Sequence, residues 1–486
     1  MLTRLQVRGF KNLVDVDVRF GPFTCVAGPN GVGKSNLFDA ILFLSELADK
    51  PFVEAARNVR GGDRPEDLFS AHGDKRMSIA AEMVIRGSGE DEFRQRAEAS
   101  ATFVRYELEL SLRPSSEGRL KQRFRLERED LSYISKSEAK RSIAFPHKQE
   151  WRESVVRPSS RRTPFISTDL EKGIVNLHAD RMQFSEKSRR GGGKPAAYPA
   201  ETLPRTALSS AQNAEETRTA VLVRKEMRNW RLLQLEPSAM REPDDFQSED
   251  WMTVTGAHIP ATLYRIASSL ADAEHEGRIY ATTANRLAEL VEGVRTIRVD
   301  RDDTRQALSL MMTDRYGLEL PASALSDGTM RFIALTVLQQ DPSETGVICL
   351  EEPENGIHPE RIEAMLRLLN DIAVDVESPV SDENPLRQII INTHSPIVAR
   401  LVGDGDLLFA SVRSRRVDRR RVPELGLACL DSTWRSESGM ETIPIGKVMA
   451  YLQGVTDTEG EDETSQLRRR RVMDRFHPGQ LDIAFP

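Results

Sequence analysis

The 486-residue sequence has little that would indicate a disulfide-bonded, exported or membrane-spanning protein. Its three cysteines, Cys25, Cys349 and Cys429, lie far apart, which excludes a CxxC zinc site and a disulfide framework. The first residues contain no long apolar segment, and no window approaches the roughly 20 apolar residues that a membrane span needs. We therefore expect a soluble, cytoplasmic protein with no membrane partner.

Aromatic residues and a strong basic charge are also lacking. An aromatic content of 6% argues against a protein whose main activity is stacking on single-stranded bases. The formal net charge of −7 means that contact with DNA or RNA has to come from local basic clusters. Each such cluster alone is typical of a solvated face, but four in one acidic chain keep nucleic-acid contact open. The clusters are residues 157–162, 189–194, 413–421 and 468–471.

The strongest motif is a glycine-rich loop. GPNGVGKS, residues 28–35, fits G-x-x-x-x-G-K-[ST] at every fixed position. It follows an apolar run (23–27) that is typical of a buried strand and precedes a segment (36–47) with helical spacing. This context predicts a phosphate-binding loop in which Lys34 contacts the β- and γ-phosphates of ATP and the Ser35 hydroxyl ligates Mg²⁺. The predicted nucleotide-binding residues here are Asn30, Gly31, Gly33, Lys34, Ser35 and Asn36.

The second motif is VICLEEPENGIHP, residues 347–359, in which an apolar strand ends in two acids. Because successive side chains of a strand point in opposite directions, the two carboxylates serve different purposes. We expect Glu351 to be a Mg²⁺ ligand and Glu352 to polarise the attacking water. Two acids after an apolar strand could also be solvent-facing ends, but the upstream phosphate loop favours the catalytic interpretation.

The third motif is ALSDGTMRF, residues 324–332, which is followed by a helix-periodic run. Ser326 and Gly328 at the start of a helix predict an anion-binding site. This motif would be weak evidence on its own, and its position just before the acidic strand strengthens it.

The fourth motif is IIINTHSP, residues 389–396, which predicts a buried strand that delivers polar residues to its carboxyl end. Those residues are Asn392, Thr393 and His394. A lone histidine at a strand end is usually structural, but the order of the four motifs favours a γ-phosphate sensor at His394.

In their order and their sequences, these motifs resemble those of the ABC-type ATPase heads of the RecF, structural-maintenance-of-chromosomes and overcoming-lysogenization-defect (OLD) group. The resemblance is carried by LTRLQVRGFKNL, GPNGVGKSN, LSDGT, LEEPENGIHP and NTHSP, and covers both ends of the chain well and the middle poorly. Lys11 and Asn12 match the group's nucleotide-side FK motif. Within the group, the chain resembles short, arm-less bacterial heads such as the PtuA ATPase of Septu-type phage defence.

The resemblance implies a bilobal α/β ATPase head, in which a parallel or mixed sheet carries the phosphate loop and an antiparallel sheet accompanies it. It implies that two copies of the chain, in a dimer or a higher assembly, close two ATP sites. Ser326 and Gly328 of one subunit would cap the γ-phosphate held by Lys34 of the other, and His394 would sense that phosphate. Lys34, Glu352 and His394 would then be the catalytic residues.

The chain departs from the family pattern in three places. Glu351 replaces the usual Walker B aspartate, and metal binding should survive because both are hard oxygen ligands. His358 occupies the position of the usual D-loop aspartate. No glutamine lies between Gln6 and Gln95 to serve as the Q-loop residue, and His72 is the candidate replacement, with a surface histidine as the equal alternative.

We predict four segments along the chain. Residues 1–125 form the first ATPase lobe with the phosphate loop, and 126–294 form an irregular helical insertion with basic loops. Residues 295–412 form the second lobe with the signature, the acidic strand and the histidine, and 413–486 form a partly disordered, charged extension.

Three functions compete for such a head. It could be an ATP-driven switch that controls a separate effector, for which a nuclease is the expectation from the phage-defence resemblance. It could instead be a DNA-repair or chromosome-handling ATPase that acts directly on duplex DNA, or a subunit of a membrane transporter, which the FKNL and LSDGT motifs disfavour. OLD nucleases carry a Toprim domain after the head, and the sequence after His394 is too short for one, so we predict no nuclease in this chain.

Overall fold

A parallel and an antiparallel β-sheet, with helices packed between and around them, form the framework of the computed structural model. The strands, numbered along the chain, are β1 (Leu2–Phe10), β2 (Leu13–Arg19), β3 (Phe23–Ala27), β4 (Arg76–Val84), β5 (Ser88–Glu90), β6 (Arg96–Glu98), β7 (Phe103–Pro114), β8 (Gln122–Tyr133), β9 (Ile166–Asp169), β10 (Ile174–Leu177), β11 (Ala196–Pro199), β12 (Arg231–Leu233), β13 (Asp244–Asp245), β14 (Val294–Asp302), β15 (Ala307–Asp314), β16 (Glu319–Pro321), β17 (Gly346–Glu351), β18 (Arg387–Thr393), β19 (Leu407–Val417) and β20 (Arg420–Cys429).

The α-helices, numbered in the same way, are α1 (Lys34–Leu47), α2 (Phe52–Arg57), α3 (Lys136–Ser142), α4 (Gln149–Val155), α5 (Ala214–Arg228), α6 (Pro237–Arg241), α7 (Ile259–Ala267), α8 (Ala273–Ala288), α9 (Asp327–Gln340), α10 (Ile362–Ile372), α11 (Pro396–Leu401), α12 (Trp434–Glu437) and α13 (Ile445–Leu452). The structure describes residues 1–71, 75–114, 122–159, 161, 163–180, 195–269, 272–289, 291–417 and 420–452.

The sheet that positions the site has the strand order β12-β17-β18-β3-β19-β20. Neighbouring strands in this sheet are parallel, except for β19 and β20, which form an antiparallel pair. Every residue of β3 and β18 is buried, as expected for apolar strands covered on both faces. The register pairs Thr393 with Ala27 and Asn392 with Glu351, so three carboxyl ends meet at one edge of the sheet.

The second sheet is antiparallel, with the order β11-β10-β9-β8-β7-β4-β1-β2. Its apolar face packs with α1 and α5 into one core cluster, which includes Leu5, Phe43, Tyr106 and Val223. The α/β fold predicted from the sequence, with a parallel sheet that carries the loop and an accompanying antiparallel sheet, is therefore confirmed.

The middle of the chain contributes strands to both sheets. β8 to β11 extend the antiparallel sheet, and β12 pairs with β17 in the parallel one. The expected segment boundaries at residues 125 and 412 fall inside β8 and β19, so each of these strands joins two of the four segments. The division into four segments stays a prediction.

Across the described ranges, no helix combines the length and the apolar character needed to cross a membrane.

A fully buried carboxylate joins the antiparallel sheet to the segment before α5. Glu129 of β8 accepts hydrogen bonds from the backbone N–H groups of Ala207 (2.6 Å) and Leu208 (2.8 Å) and from the Tyr106 hydroxyl (3.1 Å). Burial raises the pKa of Glu129 to about 7, although these three donors oppose the shift. Glu129 thus satisfies three donors that have been removed from water.

We expect Glu129→Ala to lower the free energy of unfolding by about 3 kcal/mol, because each buried donor left without a partner costs roughly 1–3 kcal/mol. Urea unfolding followed by tryptophan fluorescence measures the change. Glu171→Ala, in the exposed turn between β9 and β10, is the control and should leave the midpoint in place. Equal midpoints for the two variants would show that Glu129 does not stabilise the fold.

Candidate nucleotide-binding site

The glycine-rich loop begins where β3 ends and turns sharply into α1. The Gly28 N–H donates to the Thr393 carbonyl (3.1 Å), and a Cβ at Gly28 would lie 2.3 Å from the Ala410 carbonyl oxygen. Gly31 and Gly33 have φ angles of +80° and +103°, a region that side chains other than glycine rarely adopt. The glycines therefore allow the loop to lie close to the neighbouring strands and to curve.

Lys34 is the first residue of α1 and lies inside the curve of this loop. It is buried, and its Nζ donates to the carbonyl oxygens of Gly28 (2.7 Å) and Pro29 (2.9 Å). Burial lowers its pKa, while the carboxylates of nearby glutamates oppose the shift. The first N–H groups of α1 have no intrahelical acceptors, and they add the positive end of the helix dipole to the same place.

Asn12 braces the loop from the side of β1 and β2. Its Nδ2 donates to the Val32 carbonyl (2.9 Å), and its Oδ1 accepts from Asn36 Nδ2 (2.7 Å). A Cβ at Gly33 would lie 2.1 Å from the Asn12 amide nitrogen. The predicted residues Asn12, Gly33 and Asn36 are thus brought together as one support for the loop.

Lys11 contacts α1 and the segment after α2. Its Nζ donates to Asp39 Oδ2 (2.7 Å) and to the Arg60 carbonyl (2.6 Å), and its backbone φ is +48°. Lys11 therefore supports the site through the buried Asp39.

The two predicted metal ligands, Ser35 and Glu351, lie against each other, and the Ser35 hydroxyl hydrogen-bonds the Glu351 carboxylate. Asn392 Nδ2 also donates to Glu351 (3.3 Å). Burial alone would raise the pKa of Glu351, but the hydrogen bonds from Arg60 and Ser35 hold it below its ordinary value.

Arg60 is a site residue that the sequence reasoning missed. Its two terminal nitrogens donate to the two oxygens of Glu351 at 2.8 and 2.9 Å, and its Nε donates to Asp39 (3.0 Å). Such a bidentate contact is the strong form of arginine–carboxylate pairing. Arg60 and Glu351 are 291 residues apart, and the Gly61-Gly62 turn after Arg60 is the only local signal that marks the loop.

Glu352 and His394 form a hydrogen-bonded pair beside the loop. Glu352 Oε2 lies 2.6 Å from His394 Nδ1 and accepts the His394 backbone N–H at 3.2 Å. The Glu352 N–H donates to the carbonyl oxygen (3.0 Å) and the Oδ1 (3.2 Å) of Asn392. Glu352 has a φ of +46°, a strained value of the kind that clusters at functional sites.

Ser326 is the N-cap of α9, and Gly328 lies in the first turn of this helix. The exposed Ser326 caps the helix, since its Oγ accepts the Thr329 N–H at 3.2 Å. A Cβ at Gly328 would lie 3.0 Å from the carbonyl oxygen of Gly356, in the segment that follows β17. Arg241 of α6 holds this start of α9 by donating to the Leu325 carbonyl (2.9 Å) and to Asp327.

Other residues that the sequence singled out are exposed, paired with carboxylates or outside the described ranges. His358 is two-thirds exposed, and His72 is outside the described residues. Two basic clusters, 189–194 and 468–471, are also outside them. Several described arginines of the other two clusters pair with carboxylates: Arg161 with Asp180, Arg413 with Glu441 and Arg415 with Asp15.

Comparison with known proteins decides the family. Residues 23–177 and 196–400, well over half of the chain, match the family described as "AAA domain, putative AbiEii toxin, Type IV TA system". The chain belongs to this family. This membership agrees with the ABC-type ATPase fold that the motifs predict.

Three characterised proteins match over short segments. They are an OLD nuclease of Thermus scotoductus (51% identical over 41 residues, 8% of each chain), the chromosome partition protein Smc of Bacillus subtilis (36% over 95 residues, 19% of this chain and 7% of Smc) and the DNA replication and repair protein RecF of Magnetococcus marinus (49% over 45 residues, 9% and 12%). The matches thus span no more than 12% of these relatives' lengths.

Two solved structures are similar over most of the chain at low identity. One is an Smc head bound to the C-winged helix domain of ScpA (15% identical, 88% of this chain and 98% of that one, TM-score 0.46). The other is an Smc head with an extended coiled coil, bound to the C-terminal domain of ScpA from Pyrococcus furiosus (13% identical, 93% and 99%, TM-score 0.44).

We expect Gly33→Ala to weaken binding of a fluorescent ATP analogue by at least about tenfold, because a strained φ costs on the order of 1–3 kcal/mol. The added Cβ would also displace the Asn12 amide that braces the loop. Gly277→Ala is the matched control, since Gly277 lies in α8 with open space around its Cα and alanine favours a helix. Equal affinity of the Gly33 variant and the wild type would contradict this account of the loop.

Proposed function

We propose that this chain binds and hydrolyses ATP with Mg²⁺, and that two copies close two ATP sites between them. We further propose that this cycle switches a separate effector, which we expect to be a nuclease, in antiphage defence. The observation that carries the proposal is the meeting of three functional groups at one sheet edge. They are Lys34 within its loop, the Ser35–Glu351 pair and the Glu352–His394 pair.

The loop and its surroundings fit a nucleotide with its metal. Gly31 has open space around its Cα, and the N-terminus of α1 follows directly after the loop. The Ser35 hydroxyl and the Glu351 carboxylate offer the hard oxygen ligands that Mg²⁺ requires, and they lie next to each other. Mg²⁺ held there would offset the phosphate charge, and Arg60 would have to give up its contact with Glu351.

Glu352 is the general base in this proposal, and His394 orients it. The hydrogen bond between Glu352 Oε2 and His394 Nδ1 places one edge of the ring on the carboxylate. Since 47% of the His394 side chain is exposed, its Nε2 edge can face a γ-phosphate. Glu352 would take a proton from the attacking water, while Lys34 binds the phosphate oxygens.

The second subunit supplies the start of α9. Ser326 is exposed, and the N-terminus of a helix with a serine cap attracts anions. Ser326 and Gly328 of one copy would then meet the γ-phosphate held by Lys34 of the other copy. The assembly therefore depends on bound ATP.

The effector is inferred from the resemblance to arm-less phage-defence heads. The alternative is a DNA-repair or chromosome-handling ATPase that binds duplex DNA directly, and the basic clusters are the observation that favours it. The ion pairs of Arg161, Arg413 and Arg415 with carboxylates reduce the charge that those clusters offer to phosphates.

We expect Glu352→Gln to bind ATP but to hydrolyse it at least about 100-fold more slowly, because a positioned general base contributes roughly 10²–10⁴-fold. The trapped protein should double its mass when ATP and Mg²⁺ are added, as measured by light scattering after size exclusion. Glu360→Gln makes the same chemical change at an exposed carboxylate of the same segment and should hydrolyse ATP like the wild type.

If the Glu352→Gln chain hydrolyses ATP at the wild-type rate, Glu352 is not the general base. The trapped form also separates the two functions. ATP-dependent binding to the protein encoded by the neighbouring gene supports the switch, whereas salt-sensitive binding of the purified chain to duplex DNA supports the alternative.

A further inference from the structure

A second carboxylate, buried beside Glu352, has no role in the mechanism above. Glu354 follows Glu352 by two residues, and a turn closed by the Asn355 N–H on the Glu352 carbonyl (3.0 Å) brings the two side chains together. Only 8% of Glu354 is exposed. Its Oε1 accepts the Thr393 hydroxyl, and carboxylate oxygens of Glu352 and Glu354 and a ring nitrogen of His394 all lie within 4.8 Å of one another.

The other oxygen of Glu354, Oε2, is buried and has no hydrogen-bond donor among the described residues. A buried carboxylate oxygen without a donor costs free energy, and a second carboxylate nearby adds repulsion. The arrangement is stable if the carboxyl groups of Glu352 and Glu354 share one proton, as in other closely spaced carboxyl pairs.

None of the described groups around Glu354 donates a hydrogen bond to its Oε2, so the shared proton is the remaining donor. Lys34 donates to the loop carbonyls, and His394 contacts Glu352. Burial raises the pKa of Cys25 on β3 and of Tyr451 on α13, so both stay neutral. The Tyr451 hydroxyl makes no hydrogen bond with Glu354.

We propose that Glu354 is a positioning residue for Glu352, to which its neutral carboxyl group donates a hydrogen bond from Oε2. The bond holds the Glu352 carboxylate in place for the attacking water. The inference rests on the proposed hydrolysis with Glu352 as base.

Ionisation of Glu354 removes this hydrogen bond and adds a negative charge beside Glu352. Burial and the charge of Glu352 raise the pKa of Glu354 to about 7. The positioning bond is therefore present below that pH and lost above it. The turnover of the wild type should fall as the pH rises through this range.

The test compares the pH dependence of kcat and KM for the wild type, Glu354→Gln and Glu354→Ala between about pH 6 and about pH 9. A glutamine amide at this position can donate to Glu352 at every pH, whereas alanine cannot donate at all. We expect Glu354→Ala to lower kcat at least about tenfold with little change in KM. Glu354→Gln should restore most of this loss and should remove the alkaline fall.

Two kinetic results would overturn the proposal: a Glu354→Gln chain that keeps the alkaline fall of the wild type, or a Glu354→Ala chain with the wild-type kcat. If Glu354→Ala does not fold, the pH profile of Glu354→Gln decides alone. Loss of hydrolysis in the wild type itself would instead contradict the proposed function.

Infrared spectroscopy tests the proton without any turnover. The difference spectrum between about pH 6 and about pH 9 should contain a carboxylic acid band that Glu354→Gln lacks. Glu129 contributes a band of its own, which both proteins share. Absence of a band specific to Glu354 would contradict the proposal. So would tight binding of Mn²⁺ or Zn²⁺ without nucleotide that Glu354→Gln abolishes, because a cation would then take the place of the proton.

Discussion

The parallel register of β3, β18 and β17 is the constraint on which the nucleotide site depends. Pairing of Ala27 with Thr393 and of Glu351 with Asn392 brings three distant motifs to one sheet edge. A slip of one residue would turn each side chain to the opposite face and separate Glu351 from Ser35. Full burial of β3 and β18 fixes this register, because a slipped pairing would expose or misplace apolar residues.

Each glutamate at this edge contacts a different side chain. Three glutamates lie close together in the sequence at the end of β17, and each has a different partner. Arg60 binds Glu351 through two nitrogens, His394 contacts Glu352, and Glu354 is buried against Thr393. Because Glu351 and Glu352 have different partners, metal binding and proton transfer each have a carboxylate of their own. Release of Arg60 frees the metal ligand, whereas the pair of Glu352 and His394 stays intact for proton transfer.

The sequence predicted those parts of the site whose motifs also specify the local backbone structure. The loop before Lys34, the acidic strand and the strand before His394 combine chemistry with a clear local pattern, and the structure has the strand–loop–helix that they require. Arg60 was not predicted, because its contact with Glu351 depends on tertiary packing across 291 residues. The strands β9 to β12 were missed because each has only three or four residues, and pairing with neighbouring strands decides their structure.

The central claim, that two chains share each ATP site, is tested most directly by mixing two inactive variants. Lys34→Ala removes the phosphate contact, and Ser326→Asp keeps the cap of α9 but places a negative charge against the partner's phosphate. Each variant alone should be inactive, with Ser326→Asn as the uncharged control. The account predicts that an equal mixture regains about a quarter of the wild-type turnover, because half of the dimers then carry one intact site. A mixture as inactive as its components would contradict shared sites.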